Sequence, residues 1–149
     1  MGVSQKCQYA LRAVFELAKQ QGKGPVKIAH IARTQAIPTR FLEVILNQLK
    51  QAGFVESRRG SAGGYVLTRS SASLTVGEII RFIEGPLSPV QCIAGGGGEH
   101  CPLHTECSFL PMWEKAAAAL SKVYDTTTFD YLVEQERQRK GTYIPNYSI

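Results

Sequence analysis

Potential metal ligands are concentrated in one short stretch of this chain. Sixteen consecutive residues, CIAGGGGEHCPLHTEC, contain Cys92, His100, Cys101, His104 and Cys107, with the cysteines spaced C-x8-C-x5-C. Thiolates ligate iron–sulfur clusters, and thiolates together with imidazoles ligate zinc. The glycines between the first two cysteines leave the backbone free to bring several sulfurs to one point. The pattern therefore indicates a metal or iron–sulfur centre.

The spacing favours a cluster over two alternatives. Zinc would be satisfied by the three thiolates plus His100 or His104, but structural zinc sites usually contain C-x2–4-C pairs, and this sequence has none. Metal-free thiols that sense redox state are the second alternative. The fourth cysteine, Cys7, lies in a predicted helix, where a cysteine is more typical of a small buried hydrophobe.

A catalytic interpretation of the same stretch is less favoured. Cys107, His104 and Glu106 have the side-chain types of a nucleophilic site. They are neighbours on one loop, however, and no surrounding elements are predicted to build a pocket around them. We therefore predict a regulator and not an enzyme.

Basic charge is concentrated in the first half of the chain. Residues 1–69 contain eleven Lys/Arg and three Asp/Glu, a net charge of +8 (11 − 3), whereas residues 70–149 contain six and nine, a net charge of −3 (6 − 9). Such an asymmetry is typical of a protein with a polyanion partner. No apolar run reaches the ~18 residues of a membrane span, and the N-terminus lacks a signal-peptide pattern. We expect a cytoplasmic protein, without a membrane partner, whose cysteines stay reduced.

Hydrophobic periodicity predicts a winged helix-turn-helix. Apolar residues recur first at helical and then at strand spacing, which predicts three helices and a β-hairpin over residues 4–20, 27–33, 38–51, 54–57 and 65–67. The predicted fold class is thus mostly α with a small β-hairpin wing. The third helix is the expected recognition helix for the major groove. Arg58 and Arg59, on the glycine-rich wing turn, are expected to reach the minor groove or the DNA backbone.

A helical arm follows this module. Thr75 and Glu78 form a capping-box pattern before a short helix over 76–84, and further apolar patterns predict helices over 108–124 and 128–139. Because the arm has no evident partner within the chain, we expect its long helix to pack against its copy in a homodimer. The alternative is that the arm folds back onto the module. The predicted segments are a DNA-binding domain (1–85), a cysteine-containing cluster loop (86–107) and a dimerisation helix with a C-terminal arm (108–149).

Four stretches of the sequence resemble one family of bacterial regulators. They are SQKCQYALRAVFELA, GPVKIAHIA, FLEVILNQLKQAGFVESRRGSAGGYVL and LTVGEIIRFIEGPLSPVQC. Over nearly its whole length the chain is similar to the IscR/NsrR/CymR family of winged-helix transcription regulators. Its cysteine triplet looks like that of the cluster-binding members, IscR and NsrR. The ending EGPLSPV and the tail DTTTFDYL…YIPNYSI look like the CymR-like branch.

This resemblance implies a homodimer that binds a near-palindromic operator in double-stranded DNA. The matching base-reading positions are Arg40 and Glu43 on the recognition helix and Arg59 on the wing. A glutamate on a recognition helix can accept a hydrogen bond from cytosine N4. Arg40 stands where IscR has a small polar residue, so a different sequence preference is expected. The full candidate DNA-binding set is Thr39, Arg40, Glu43, Arg58, Arg59, Gly60 and Ser61.

The resemblance also implies that Cys92, Cys101 and Cys107 ligate an iron–sulfur cluster, of 2Fe–2S or 4Fe–4S type, between the DNA-binding module and the dimer helix. IscR has a histidine three residues after its third cysteine, where this chain has Leu110. NsrR uses an acidic side chain near the N-terminus of the partner subunit, where this chain has Gln8. The candidates for the fourth ligand are His104, His100, Cys7, Gln8 of the partner subunit, and a solvent or small-molecule ligand.

We predict an iron–sulfur-cluster-sensing transcription regulator that acts as a repressor. Its target genes would serve iron–sulfur assembly, sulfur or cysteine metabolism, or the response to nitric oxide and redox stress. The alternative is a CymR-like regulator, metal-free or zinc-bound, that is controlled by thiol redox state or by a metabolic enzyme as partner. The clustered cysteines favour the first interpretation, and the CymR-like tail favours the second.

Overall fold

The computed structural model describes residues 2–94 and 101–142; the tail at 143–149 lies outside them. Within the described residues the chain forms six α-helices and one two-stranded antiparallel sheet: α1 (Gln5–Lys19), α2 (Ile28–Gln35), α3 (Thr39–Gln51), β1 (Val55–Arg58), β2 (Gly64–Leu67), α4 (Val76–Glu84), α5 (Leu110–Thr126) and α6 (Phe129–Thr142). The predicted class, mostly α with a β-hairpin wing, is confirmed. None of the described helices is long and apolar enough to cross a membrane.

Local sequence signals set the ends of two helices. At the start of α4, the Thr75 hydroxyl accepts a hydrogen bond from the Glu78 N–H (3.3 Å), and the Glu78 carboxylate accepts one from the Thr75 N–H (2.9 Å). At the end of α3, Gly53 adopts a φ of +84° and donates its N–H to the Lys50 carbonyl (3.0 Å). The predicted capping box is confirmed, and Gly53 caps the C-terminal end of α3.

Helix α1 lies at the centre of the core. Helices α2, α3, α4 and α6 all pack against it. The large, fully buried side chains include Leu17, Ile31, Leu42, Leu46, Leu49, Leu74, Ile79 and Phe129. Burying one such side chain contributes about 1.5–3 kcal/mol to stability. Because the apolar side of α3 is committed to this core, its polar side is fixed toward solvent.

The C-terminal arm divides into two parts. Phe129, the first residue of α6, is fully buried, so α6 folds back onto α1. Backbone hydrogen bonds hold the α5–α6 connection against the start of α4: the Val76 N–H donates to the Thr127 carbonyl (2.9 Å), and the Phe129 N–H donates to the Leu74 carbonyl (3.1 Å). Helix α5 contacts α4, but none of its 17 residues is buried by the described chain. Helix α5 therefore keeps a row of large apolar side chains, Met112 and Val123 among them, open to solvent.

The wing is attached directly to the helical core. Strands β1 and β2 pair antiparallel, with Arg58 opposite Gly64. Val26, on the connection between α1 and α2, exchanges two backbone hydrogen bonds with Tyr65 (2.9 and 2.8 Å). A Cβ atom at Gly64 would lie 2.4 Å from the Val26 carbonyl oxygen, so this approach requires glycine. The wing and the three helices before it consequently form one rigid unit.

Candidate nucleic-acid interface and cysteine segment

Helix α3 presents a polar face to solvent. Its apolar face is buried in the core, which leaves Thr39, Arg40 and Glu43 exposed at its N-terminal end. The Arg40 guanidinium lies 4.8 Å from the centroid of the Phe41 ring, and this contact restrains its position. The start of the helix adds a partial positive charge beside these side chains. This end of α3 therefore presents hydrogen-bond donors, on Thr39 and Arg40, and an acceptor, on Glu43, that suit the groove of a nucleic acid.

The end of β1 and the wing turn carry the other four candidate residues. Arg58, Arg59, Gly60 and Ser61 are all exposed. Arg58 donates to the Glu56 carboxylate from Nη2 (2.7 Å) and Nε (3.2 Å), so part of its charge is neutralised within the wing. Arg59 is therefore the better placed of the two arginines to meet phosphate or a narrow minor groove. All seven predicted DNA-binding residues are solvent-exposed on one rigid unit, and their individual roles stay predictions.

A buried carboxylate, which sequence reasoning missed, positions the helix-turn-helix. Glu16 of α1 is 1% exposed. It accepts a hydrogen bond from Gln35 Nε2 (2.8 Å), and it pairs with His30 Nε2 (3.0 Å) and with Lys19 Nζ (3.4 Å). Burial raises the pKa of Glu16, but the hydrogen bonds from Gln35 and His30 and the charge of Lys19 outweigh it and hold the pKa below its ordinary value of 4.5. The network fixes α2 against α1.

The three clustered cysteines lie on the connection between α4 and α5, which we call the cysteine connection (residues 85–109). Cys92 lies in one short 3₁₀ turn, and Cys107 directly follows another, which begins at His104. Cys92, Cys101 and Cys107 are free thiols, and each is half-buried. They are neither sealed in the core nor joined in a disulfide, which leaves them available for metal binding or oxidation.

Cys7 is in a different environment. Its side chain is fully buried in the core. Burial, together with the nearby Glu84 carboxylate, raises the pKa of the Cys7 thiol to about 11. Since the thiolate is the form that ligates metals, this residue is a poor candidate for a ligand at neutral pH. Its surroundings agree with the role of a small buried hydrophobe.

The other fourth-ligand candidates lie at the surface or outside the described residues. His104 is half-buried in the turn before Cys107. Gln8 is exposed on α1 and donates from Nε2 to the Val3 carbonyl (3.1 Å). His100 lies outside the described residues. Across residues 2–94 and 101–142, no three His, Cys, Asp or Glu side chains form a group that could hold a metal ion. The thiol donors suit an iron–sulfur cluster chemically, but the described chain does not bring them together.

Known proteins resemble this chain over most of its length. The model of the Rrf2 family, described as iron-dependent transcriptional regulators, matches residues 3–135. The HTH-type transcriptional regulator CymR of Bacillus subtilis (strain 168) is 35% identical over 144 residues, which cover 97% of this chain and 98% of CymR.

Solved structures give the same result. The structure of CymR, the global cysteine regulator of B. subtilis, is 36% identical with a TM-score of 0.74 and covers 91% of this chain and 98% of its own. The structure of T. potens IscR is 30% identical with a TM-score of 0.75 and covers 99% of this chain and 95% of its own. The resemblance seen in the sequence and the expectation of a regulator, not an enzyme, are confirmed. The chain is a DNA-binding helix-turn-helix transcription regulator of the Rrf2 family.

Proposed function

We propose that this regulator is a homodimer that binds a near-palindromic operator and senses an iron–sulfur cluster, held on each protomer by Cys92, Cys101 and Cys107. The proposal is carried by one observation: three free, half-buried thiols lie on the single connection between the winged module and α5. When bound, such a cluster supplies a group whose charge and ligation change on oxidation, on loss of iron or on reaction with nitric oxide.

On the operator, we assign the major-groove contacts to Thr39, Arg40 and Glu43. We assign contacts with the minor groove or the backbone to the wing residues Arg58, Arg59, Gly60 and Ser61. Their exposure on a basic, rigid unit supports this assignment. Bound there, the dimer would act as a repressor of genes for iron–sulfur assembly, sulfur or cysteine metabolism, or the response to nitric oxide and redox stress.

The apolar face of α5 supports the homodimer. Residues at alternating spacings of three and four form a row, which we call the α5 seam: Phe109, Met112, Ala116, Ala119 and Val123. Phe109 is 63% exposed and Val123 is 60% exposed in the single chain. Such a repeat is typical of the seam between two coiled helices. The seam has large side chains at both ends and alanines at its centre, so it is self-complementary in an antiparallel pair. In that pair, Met112 meets the partner's Val123 and Ala116 meets the partner's Ala119.

The position of the cysteine connection supports a regulatory role. It begins at the end of α4 in the winged module and ends at the start of α5 in the proposed dimer interface. A change in its conformation would therefore alter the angle between α5 and the winged module, and with it the distance between the two recognition helices. A coupling free energy of about 1–3 kcal/mol between cluster state and DNA affinity is sufficient for regulation.

Anaerobic purification tests the cluster directly. We would measure the absorption spectrum, the iron content and the sulfide content of the wild-type protein, Cys101→Ala and Cys7→Ala. The expected result is a brown wild-type protein that absorbs near about 400 nm. Cys101→Ala should lose colour and iron, whereas Cys7→Ala, which removes a thiol outside the cysteine connection, should keep both. The ratio of iron to sulfide to protein gives the cluster type. A colourless, iron-free wild-type protein would contradict the proposal.

A second candidate function is a metal-free or zinc-bound regulator controlled by thiol redox state or by a metabolic enzyme. The observation that favours it is the 35% identity with CymR over 97% of this chain. It predicts zinc or no metal in the purified protein. It also predicts that operator affinity differs between reduced and oxidised protein, or changes when the metabolic enzyme is added, without any iron.

A further inference from the structure

An aromatic pair connects α1 with the first turn of α3. The ring centroids of Tyr9, on α1, and Phe41, on α3, lie 6.3 Å apart, with the ring planes inclined by 32°. This distance is typical of aromatic pairs that attract each other. Tyr9 packs against the core, whereas Phe41 is 46% exposed. Phe41 is therefore a large apolar side chain that α3 keeps at the surface, beside the candidate DNA-binding residues.

A guanidinium lies at each end of this pair. Arg12 of α1 is 4.9 Å from the centroid of the Tyr9 ring, and Arg40 of α3 is 4.8 Å from the centroid of the Phe41 ring. Both distances are within the range of cation–π contacts. The four side chains thus contact one another in the order Arg12, Tyr9, Phe41 and Arg40, and we call them the Arg12–Arg40 row.

The inner end of the row is fixed by α2. Arg12 is half-buried, and its Nη1 donates a hydrogen bond to the carbonyl of Gln35, the last residue of α2 (3.0 Å). A cation is favoured at this place, because the C-terminal end of a helix carries a partial negative charge. Arg12 is therefore held both by the Gln35 carbonyl and by the Tyr9 ring. The row runs from this anchored residue to the exposed surface of α3.

The outer end of the row keeps its hydrogen-bonding capacity. Arg40 is exposed to solvent. A contact with the face of a ring leaves the N–H donors of a guanidinium available for phosphate or guanine. A mobile arginine loses much of its rotamer freedom when it binds, whereas a side chain that is already held loses less. The Phe41 ring therefore prepares Arg40 for binding without occupying its donors.

We propose that Tyr9 and Phe41 are positioning residues that hold the Arg40 guanidinium in its DNA-binding orientation before the operator is bound. The proposal rests on the DNA contact assigned to Arg40 above, and it adds α1 to the elements that determine operator affinity. Phe41 acts directly on Arg40, and Tyr9 acts through Phe41. Recognition by the exposed end of α3 consequently depends on an aromatic residue of a helix that lies outside the helix-turn-helix.

Double-mutant cycles on operator affinity test this role. Phe41→Leu and Tyr9→Leu each remove a ring but keep an apolar side chain, and each is combined with Arg40→Ala. Phe41→Tyr and Tyr9→Phe keep the rings. Phe82→Leu is the matched control, because Phe82 is a 40% exposed phenylalanine of α4 whose ring pairs with Phe54 (5.4 Å between centroids). Fluorescence anisotropy on an operator duplex selected with the wild-type protein gives the affinities, and circular dichroism melts check the folding.

The rings should matter only while Arg40 is present. Phe41→Leu should reduce affinity by about five- to thirtyfold, because the restraint is lost in both half-sites, and Tyr9→Leu should reduce it less. The variants that keep the rings, and the Phe82→Leu control, should stay within about twofold of the wild type. In the Arg40→Ala background, both leucine substitutions should change affinity by less than about twofold. Because Phe41 is 46% exposed, Phe41→Leu leaves the core intact and is decisive by itself if Tyr9→Leu lowers the melting temperature.

Three other results would contradict the proposal. A Phe41→Leu effect of equal size with and without Arg40 would show that the ring contacts DNA itself or only supports packing. Wild-type affinity in Phe41→Leu, together with a loss in Arg40→Ala, would overturn the positioning role and keep the DNA contact of Arg40. Wild-type affinity in Arg40→Ala would overturn that contact, and the positioning role with it.

Discussion

Arg81 of α4 donates a hydrogen bond from each of its two terminal nitrogens to a different carboxylate oxygen of Asp125 in α5, from Nη2 at 2.8 Å. These hydrogen bonds lower the pKa of Asp125. The pair fixes the C-terminal end of α5 to the winged module, whereas the N-terminal end of α5 continues the cysteine connection. A 17-residue helix is roughly 25 Å long. A shift of the cysteine connection therefore moves the N-terminal end of α5, while the C-terminal end stays attached to α4 through Asp125.

Replacing Arg59 should weaken operator binding more than replacing Arg58. Arg59→Ala should reduce affinity by about tenfold or more and lower the magnitude of the slope of log affinity against log salt by about 2, since each of the two wings of the dimer loses one phosphate contact. Arg58→Ala should have a smaller effect, because Glu56 already neutralises part of its charge. Fluorescence anisotropy on a selected operator duplex, between low and high salt, measures both quantities. Arg137→Ala, which removes a cation of α6 that pairs with Glu134, is the control and should leave binding unchanged.

Replacing Glu43 should relax base preference at one position of each half-site. A glutamate that accepts from cytosine N4 gives about 1–3 kcal/mol of discrimination against other bases. The Glu43→Ala protein should therefore bind the operator and the duplexes that differ from it only at the proposed cytosine position with nearly equal affinity. Selection from a random duplex library, carried out with both proteins, reveals the position. Identical base preferences in the two selections would rule out a base contact by Glu43.

A charge reversal at Lys122 should strengthen the dimer. In the antiparallel pair, Lys115 and the partner's Lys122 lie on the same side of the α5 seam, where like charges repel. Lys122→Glu converts two repulsive pairs into two attractive ones, each worth up to about 1 kcal/mol, and the gain should shrink as salt rises. Analytical ultracentrifugation measures the dissociation constant. Lys23→Glu, an exposed position before α2, is the control; a Lys122→Glu dimer weaker than wild type would disprove the antiparallel pairing.

The buried carboxylate of Glu16 should make stability depend on pH. Its folded pKa is lowered below 4.5, so its stabilising effect is complete above that pH and is lost as the pH falls through the folded pKa. Glu16→Gln should reduce the melting temperature at pH 7, and the difference from wild type should shrink as the pH falls below 4.5. Circular dichroism melts measure this. Glu56→Gln, which removes an exposed carboxylate paired with Arg58, is the matched control and should change the melting temperature at pH 7 little. A constant Glu16→Gln difference across the pH range would contradict the role of the network.

Features with a local cause could be predicted from the sequence. The capping box at Thr75 and the glycine cap at Gly53 each depend on residues a few positions apart, and both are present. The polar face of α3 followed from helical spacing alone. These elements fix the fold class and expose the candidate DNA-binding residues.

Features that depend on distant partners could not be predicted in the same way. In the sequence, Glu16 has the pattern of an ordinary charged residue of an amphipathic helix. Its burial is explained only by the fold, in which α2 brings Gln35 and His30 to it. The sequence places Phe129 in a separate helical arm. In the fold it is buried beside Leu74, because the chain turns back after α5. For the cysteines, the residue types indicated the chemistry, but spacing alone does not define which side chain completes a ligand set.

The pairing of Val26 with Tyr65 has a consequence for how the operator can change during evolution. Because this pairing joins the wing to the three helices, the two parts that we propose to contact DNA keep one fixed separation. On that proposal, surface substitutions at Arg40 or Glu43 would exchange one preferred base for another without disturbing the core. The number of base pairs between the proposed major-groove and minor-groove contacts, in contrast, would be inherited with the backbone. Related regulators that keep a glycine at position 64 should therefore prefer different bases in their operators. They should share the number of base pairs between the helix contact and the wing contact.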